Sequence, residues 1–438
     1  MDRRGFVGKA AGGVGLLAAT VALTRTASAQ STTTVKADVI TTSAGTNPIK
    51  ETDIYNVVSV LTYGAIGNGT TDDGPAIQNA ANAAAAAFKK LYFPNTGSPY
   101  LIDTFLEVPS NGYWLGEAGA ILNISLTCSL GPTELGGSNR AMFANNASVV
   151  EFENLIFESS SSGLSKLGVS IAFNNTASVR IKNCIFRNFG DVTYYAQGLV
   201  MFGCSDVIIE GCTFSGNSGD GVAFASTCTT LKFTNNTCIQ NGDCGVVITV
   251  ACSNVIIANN ICTDSINCGI LSDRCQNVTI CGNVCTNNSY GIRISRYVAT
   301  SDANQFVSVT GNTVNNSGTA GISVELCTSP SSVVVTGNSV GGSGGAGINW
   351  SDACVGTIAG NTVCSTAGPS IAVVSYNAGY ETGRLAITGN ILTNGTYGIQ
   401  QITGPGTITP LVISGNGIFY MSEAPTSLLP GASTGYLS

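Results

Sequence analysis

The sequence predicts an all-β fold, a right-handed single-stranded parallel β-helix closed at its N-terminus by a capping helix. Three observations predict it. One short unit recurs at a near-constant period. The composition is rich in strand and turn formers and poor in charge. A single alanine-rich helix signal precedes the repeats.

The repeat comes first. From about residue 145 onward the chain returns to Gly-apolar-x-apolar, a short turn, and then apolar-x-apolar-x-Gly-Asn-x-apolar. VSVTGNTV, SVVVTGNSV, LAITGNIL and LVISGNGI show the second half of the unit. Its asparagine falls at Asn236, Asn260, Asn283, Asn312, Asn338, Asn361, Asn390 and Asn416, with gaps of 24, 23, 29, 26, 23, 29 and 26. Glycines opening the other strand keep step at Gly198, Gly221, Gly245, Gly269, Gly291, Gly321, Gly347 and Gly398, with Ser370 in the one missing place. Short alternating strands at this spacing, with no helix between them, fit one coil of a parallel β-helix. A leucine-rich repeat would need a leucine frame that is missing. Stacked coils put equivalent side chains in ladders at about 4.8 Å, and asparagine suits a turn ladder because it tolerates left-handed geometry and bonds to its own kind. The cysteines obey the same period. Cys204, Cys228, Cys252 and Cys275 form one column, Cys238, Cys262 and Cys285 a second, Cys244 and Cys268 a third. They read as stacked free thiols in the core. Neighbouring coils also lie within disulfide reach, whereas zinc would need clustered pairs rather than columns along an axis.

Composition sets the limits. Of 438 residues, 54 are Gly and only 10 % are charged, which suits a strand-rich fold and not disorder. The net charge of −7 and the lack of a basic stripe argue against a nucleic-acid partner. Histidine is absent. That removes the Ser-His-Asp triad, the Cys-His pair and imidazole-ligated zinc together, and leaves acid–base chemistry to Asp, Glu, Lys, Arg, Tyr or Cys. No cofactor or metal is expected.

The N-terminus reads as an export signal. Paired arginines at Arg3-Arg4 precede an apolar stretch from Ala10 to Leu23, and Ala27-Ser28-Ala29 offers a small-x-small cleavage site before Gln30. It looks like a twin-arginine signal, and the stretch is short for a membrane span. The expected layout is signal over 1–29, leader over 30–54, cap over 55–102, coils over 103–420 and a tail over 421–438. The mature chain is expected to be periplasmic or secreted, with no stable membrane insertion.

Residues 56–102 read as the cap. A strand ends at Tyr63-Gly64-Ala65, a Gly/Asn turn follows, and Asp72 or Asp73 caps a helix from about Gly74 to Lys89 before a strand at Leu91-Tyr92-Phe93-Pro94. On the phrase Tyr63-Gly64-Ala65, Gly67-Asn68-Gly69, Thr71-Asp72-Asp73, Ala76-Ile77-Gln78 and Leu91 to Pro94, the chain resembles the pectate lyase superfamily, in the branch with rhamnogalacturonase-like and epimerase-like proteins. The resemblance covers roughly residues 55–420 with the coils counted. It implies a right-handed β-helix and a polysaccharide partner, and, since related spikes are trimers, a homotrimer as one state. Family members span lyases, hydrolases, epimerases and phage tailspikes. The Gly-His-Gly and Asp-Pro-His motifs of two branches are impossible here, and no dense aspartate cluster of the calcium-dependent kind is visible. No catalytic residue is therefore carried over.

The site is sought on the glycine-led strands. With Gly as zero, positions +1 and +3 are apolar and face inward, as in Val222 and Phe224 or Ile348 and Trp350; positions +2 and +4 then face out. The middle coils concentrate function there: Asp273 and Glu325 at +4, Arg293 and Asn349 at +2, and Arg274, Arg296 and Asp352 at +5. Asp273, Glu325 and Asp352 are the candidate acid and base; Arg293, Arg296, Asn349 and Tyr297 are the candidate substrate-binding residues. Asp273 and Glu325, two coils apart, fit the roughly 6.5–9.5 Å gap of an inverting glycosidase, and Glu325 with Asp352 the roughly 5 Å retaining gap. Tyrosines in the longer connections 191–195, 297–305 and 376–380 can stack on sugar rings. The plain alternative is an ion-paired strand face, such as Asp273 with Arg293. Three functions stay open: a glycoside hydrolase, a lyase on a uronate polymer that draws on Arg293, Arg296 or Tyr297, and a non-catalytic adhesin or structural spike.

Overall fold

The computed structural model describes residues 56–125, 128, 140–159, 169–190, 195–295, 305–327, 332–353, 355–375, 381–382, 384–403, 407–408, 411–428 and 433–434. The segments expected to be signal and leader, the candidates Arg296 and Tyr297, and most of the long connections lie outside them. The chain divides into Met1–Val57, of which only Asn56 and Val57 are described, and Val58–Ser438. No helix among the described residues is long and apolar enough to cross a membrane.

Val58–Ser438 is a parallel β-helix of about 11 turns. Each coil gives one strand to each of three sheets, of 15, 13 and 13 strands. One coil runs through the glycine-led strand Cys268–Asp273 in the second sheet, Gln276–Cys281 in the first and the short strand Val284–Thr286 in the third. Alternation decides which side chains fill the interior. In the first sheet Ile257, Ile280, Val309, Val335 and Ile358 pair in strict register, and all are buried. In the third, Phe157, Phe186 and Phe214 stack at 5.0 and 5.1 Å and give way in register to Cys238, Cys262 and Cys285. The inward positions +1 and +3 fall where alternation puts them; Trp350 is in the core, its indole N–H donating to the Ala353 carbonyl. The fifteen cysteines among the described residues are free thiols.

The asparagine ladder is continuous from Asn236 to Asn416. Each side-chain amide donates to the next asparagine's Oδ1 at 2.9 to 3.2 Å and also to a buried carbonyl, as Asn312 does to Asn338 and to Ile280 O. Each Oδ1 takes a second bond, from the preceding asparagine's backbone N–H, at 2.9 to 3.0 Å. One detail differs from the sequence expectation. The left-handed residue is not the ladder asparagine but the one before it, Gly311 at φ 64° or Asn259 at φ 56°, which leaves the asparagine free to point inward. Gly356 has a different reason to be glycine: a Cβ there would lie 2.1 Å from the Trp350 ring.

The N-terminal helix α1 spans Gly74–Ala86, one turn shorter than expected, and the chain turns at Phe88 with φ 53°. Ile77, Ala80, Ala81 and Ala84 pack onto Leu91, Phe93 and Trp114, so the helix covers the apolar end of the first coil. Asp72 caps it, accepting from Gly74 N at 3.0 Å; Asp73 instead holds the preceding turn through Ile66 N and Gly67 N.

Two outcomes follow from this packing. Asn312→Ala removes an acceptor shared by two donors of Asn283 and a donor to a buried carbonyl; it should cost about 2–4 kcal/mol, read as a lowered denaturant midpoint. The column cysteines are 0–1 % exposed. A thiol reagent cannot reach them and should leave the buried columns unmodified in the native protein, with the half-buried Cys281 and Cys364 reacting first and the columns only after denaturation.

Candidate functional site

The outer face of the second sheet changes character along its length. Its +2 row runs in register from Phe143 through Ala172, Val200, Ala223, Val247 and Leu271, then to Arg293, Ser323, Asn349, Ala372 and Gln400. The first part is outward by parity yet not solvated. Phe143, Ala172, Val200, Ala223 and Val247 form a second apolar cluster with Cys244 and Cys268, joined by Phe105, Phe202, Leu271 and Tyr290. Arg140 is sealed at its N-terminal end, with its guanidinium 5.3 Å from the Phe143 ring and 5.1 Å from that of Phe202.

The face becomes polar at the coil of Tyr290 and Arg293. The guanidinium of Arg293 lies 4.6 Å from the Tyr290 ring centre, and its Nε and Nη2 donate to Glu325 Oε2 at 3.2 and 2.7 Å. Glu325 Oε1 accepts from Ser323 Oγ at 2.6 Å, and Ser323 Oγ accepts from Asn349 Nδ2 at 2.9 Å. Burial works against the Arg293 charge, but the Glu325 carboxylate outweighs it and holds the guanidinium above its ordinary value. Beside this network lies a cleft of about 480 Å³ lined by Tyr290, Thr319, Glu325, Asn349, Ser351 and Asp352, with Ala346, Pro369, Ala372, Val374 and Ile402 as its apolar wall. Asp352 is only 1 % exposed and sits at φ 48°. Arg274 and Leu326 share that left-handed geometry at the same coil position, so it belongs to the strand exit and not to strain peculiar to the cleft.

The sequence candidates thus separate. Glu325, Asp352 and Asn349 line one cleft, and Arg293 is tied to it through Glu325. Asp273, 4 % exposed, is held elsewhere by Thr249 Oγ1 and by the Nε of Arg274, each at 3.0 Å. The ion pair anticipated between Asp273 and Arg293 is therefore replaced by two others, Asp273 with its chain neighbour Arg274 and Arg293 with Glu325 of the next coil.

A further constellation escaped the sequence reading. Tyr195 donates its hydroxyl to Asp220 Oδ2 at 2.6 Å and also lies 3.2 Å from Asp243 Oδ2. Gln197 Nε2 and the Cys244 N–H complete the shell of Asp220, and Asn267 Nδ2 donates to Asp243. Burial raises the Asp220 carboxyl to about 6, against the lowering effect of the Tyr195 and Gln197 bonds. These residues sit one and two places before the opening glycine, where the chain bends and strict alternation no longer assigns a face; that offset, repeated at Gln197, Asp220, Cys244, Cys268 and Tyr290, was the available signal. Asp220, Asp243 and Cys244 bring ligand atoms within 4.8 Å of one another. The group fits a metal poorly. The Asp220 oxygens already accept three bonds, and the hydrogen bond to Cys268 together with burial keeps Cys244 a thiol.

A family model described as the right handed beta helix region matches residues 133–270 and 169–329. No curated protein matches the sequence. Among solved structures, the chain is similar to the mannuronan C-5 epimerase AlgE4 A-module of Azotobacter vinelandii, at 17 % identity and TM-score 0.58 over 86 % of this chain and 100 % of that one. It is similar to the catalytic unit of a GH87 α-1,3-glucanase from Streptomyces thermodiastaticus, at 17 % identity and TM-score 0.63 over 86 % and 69 %. It is also similar to PfbA, a surface adhesin of Streptococcus pneumoniae, at 13 % identity and TM-score 0.51 over 84 % and 91 %. At these identities the likeness establishes the fold: a right-handed parallel β-helix.

The Asp220 carboxyl gives a pH test. The folded chain holds this proton more tightly than the unfolded one, whose aspartate titrates near 3.8. Its contribution to stability is therefore complete below that value and is lost as pH rises through about 6. Carbon-detected carboxyl NMR should show one aspartate titrating near 6, and Tyr195→Phe, by removing a donor to the carboxylate, should move it higher.

Proposed function

We propose that this chain is an exported carbohydrate-active protein, a glycoside hydrolase that lays a polysaccharide along the outer face of the second sheet. The observation that carries the reading is the meeting of Glu325 and Asp352 at one cleft, on neighbouring coils of a chain otherwise poor in charge. Coils stack at about 4.8 Å, a spacing comparable with the roughly 5–5.5 Å gap of a retaining enzyme. One carboxyl protonates the departing glycosidic oxygen while the other attacks the anomeric carbon, and water then releases the sugar. Asn349 and, through Glu325, Arg293 orient the chain, with Arg296 and Tyr297 as further candidates for substrate binding. Two fold neighbours with polysaccharide names, a mannuronan epimerase and an α-1,3-glucanase, support the substrate class. The paired arginines and small-x-small site support release to the periplasm or the medium.

A second placement of the chemistry, at Asp220, Asp243 and Tyr195, is favoured by one observation: a buried carboxyl raised to about 6 beside a second carboxylate has the asymmetry acid–base catalysis needs.

The experiment is a polysaccharide panel on the chain from Gln30, followed by reducing ends and by the ultraviolet absorbance of unsaturated uronates. Reducing ends without absorbance are expected, and Glu325→Gln and Asp352→Asn should each lower kcat by about 10²-fold or more with folding intact. A larger loss in Asp220→Asn moves the chemistry to the second placement. Absorbance would mean elimination, and binding without cleavage an adhesin; either outcome overturns the hydrolase.

A further inference from the structure

We infer that a second, open cleft, at the edge where the third sheet turns into the second, is a further sugar subsite, filled by the polysaccharide as it leaves the main cleft; this rests on the reading above. Continuity with the main cleft and two coil positions that break the repeat carry it.

The second cleft, of about 490 Å³, has Asp264, Ile266, Asn287, Ser289, Asn316 and Gly318 in its lining. It adjoins the main cleft residue by residue. Ser289 lines the second cleft and Tyr290 the main one; Gly318 lines the second and Thr319 the main one. The Ser289 and Thr319 hydroxyls hydrogen-bond at 2.9 Å across the rim that the two clefts share. Asp264, Asn287 and Asn316 are exposed in the lining. Asn287 Nδ2 and Thr263 Oγ1 donate to the two oxygens of Asp264, each at 2.9 Å. A carboxylate held beside two amides offers the adjacent acceptors and donors that neighbouring sugar hydroxyls use.

The repeats show what the coil itself needs at this edge. Ser218, Gly242, Ile266, Gly318, Gly344 and Ala367 each make the same backbone N–H bond to the coil before. All but Ile266 are small, and Ile266 is 74 % exposed. It neither fills the core nor recurs from coil to coil, and it gives the cleft an apolar surface for the C–H face of a pyranose. Gly318 is the converse case. A Cβ at Gly242 or Gly344 would lie 2.1 or 2.3 Å from the neighbouring backbone, so packing explains those glycines. At Gly318 the nearest atom would be 3.7 Å away, an ordinary contact, and φ lies outside the left-handed region. The backbone would accept a side chain there; the cleft would be filled by it.

The test measures affinity against length. The full chain from Gln30 is titrated calorimetrically with sized fragments, disaccharide to decasaccharide, of each polymer in the panel, among them a soluble β-glucan, a xylan, an alginate and a polygalacturonate. The wild type should bind the long fragments of its polymer about tenfold tighter than the short ones. Gly318→Leu, which fills the second cleft, should remove most of that advantage with the thermal midpoint unchanged. Ile266→Ser, which sets there the residue type of Ser218, should cut the advantage about threefold, and it carries the test if Gly318→Leu fails to fold. Val412→Ser, at an exposed apolar side chain of the first sheet, should leave the advantage as it is. A length advantage that survives both cleft variants, or none in the wild type, overturns the inference and leaves the hydrolase standing where short fragments are still cut. Binding of no fragment and no polymer overturns both.

Discussion

The fold depends on hydrogen bonds that pass from coil to coil along one buried line. Each ladder asparagine accepts from the one before and donates to the one after, at 2.9 to 3.2 Å, with a further donor fixed to an interior carbonyl. A parallel β-helix has no hairpins to set its register, and a slip by one residue would turn every side chain to the wrong face. The asparagine prevents the slip because it is polar, buried and satisfied only when its neighbours stand directly above and below. Hence the tight Gly-Asn turn, with glycine or asparagine absorbing the left-handed conformation.

A fold locked in this way leaves its outer faces free. The interior and the ladder carry register and stability, so the +2 and +4 positions of the second sheet can change from coil to coil without moving the backbone. Along the first coils that freedom is used for a second apolar layer around Phe143, Val200 and Val247; from Tyr290 onward it holds a polar cleft. The boundary between the two regions places the site more than any single residue does.

This explains what was legible in the sequence. The coils, the inward columns, the thiol columns and the cap were readable because period and alternation are direct consequences of stacking, and each was repeated often enough to stand out. Glu325, Arg293 and Asn349 were readable for the same reason, as breaks in a regular row. Pairing was not. Which guanidinium meets which carboxylate depends on side-chain reach, and Arg293 chose Glu325 over Asp273. The Tyr195–Asp220–Asp243 group was invisible because it sits at the bend before each glycine, where parity gives no face, and because Tyr195 reaches it from a connection outside the repeat.

The repeats also act as controls for one another. In the row that holds Arg293, other coils place alanine, valine, leucine and serine at the equivalent point, with the same strand pairing on either side. The backbone therefore does not need a charge there. A half-buried ion pair returns little net stability, because desolvating both groups offsets much of their attraction. An Arg–Glu pair that the fold neither requires nor gains much from, held beside a second carboxylate at an open cleft, supports the proposed binding role of that cleft. The same reasoning separates it from the surface pairs Lys182–Glu210 and Lys90–Glu153, which lie on the first sheet, are about half exposed and border no described cleft.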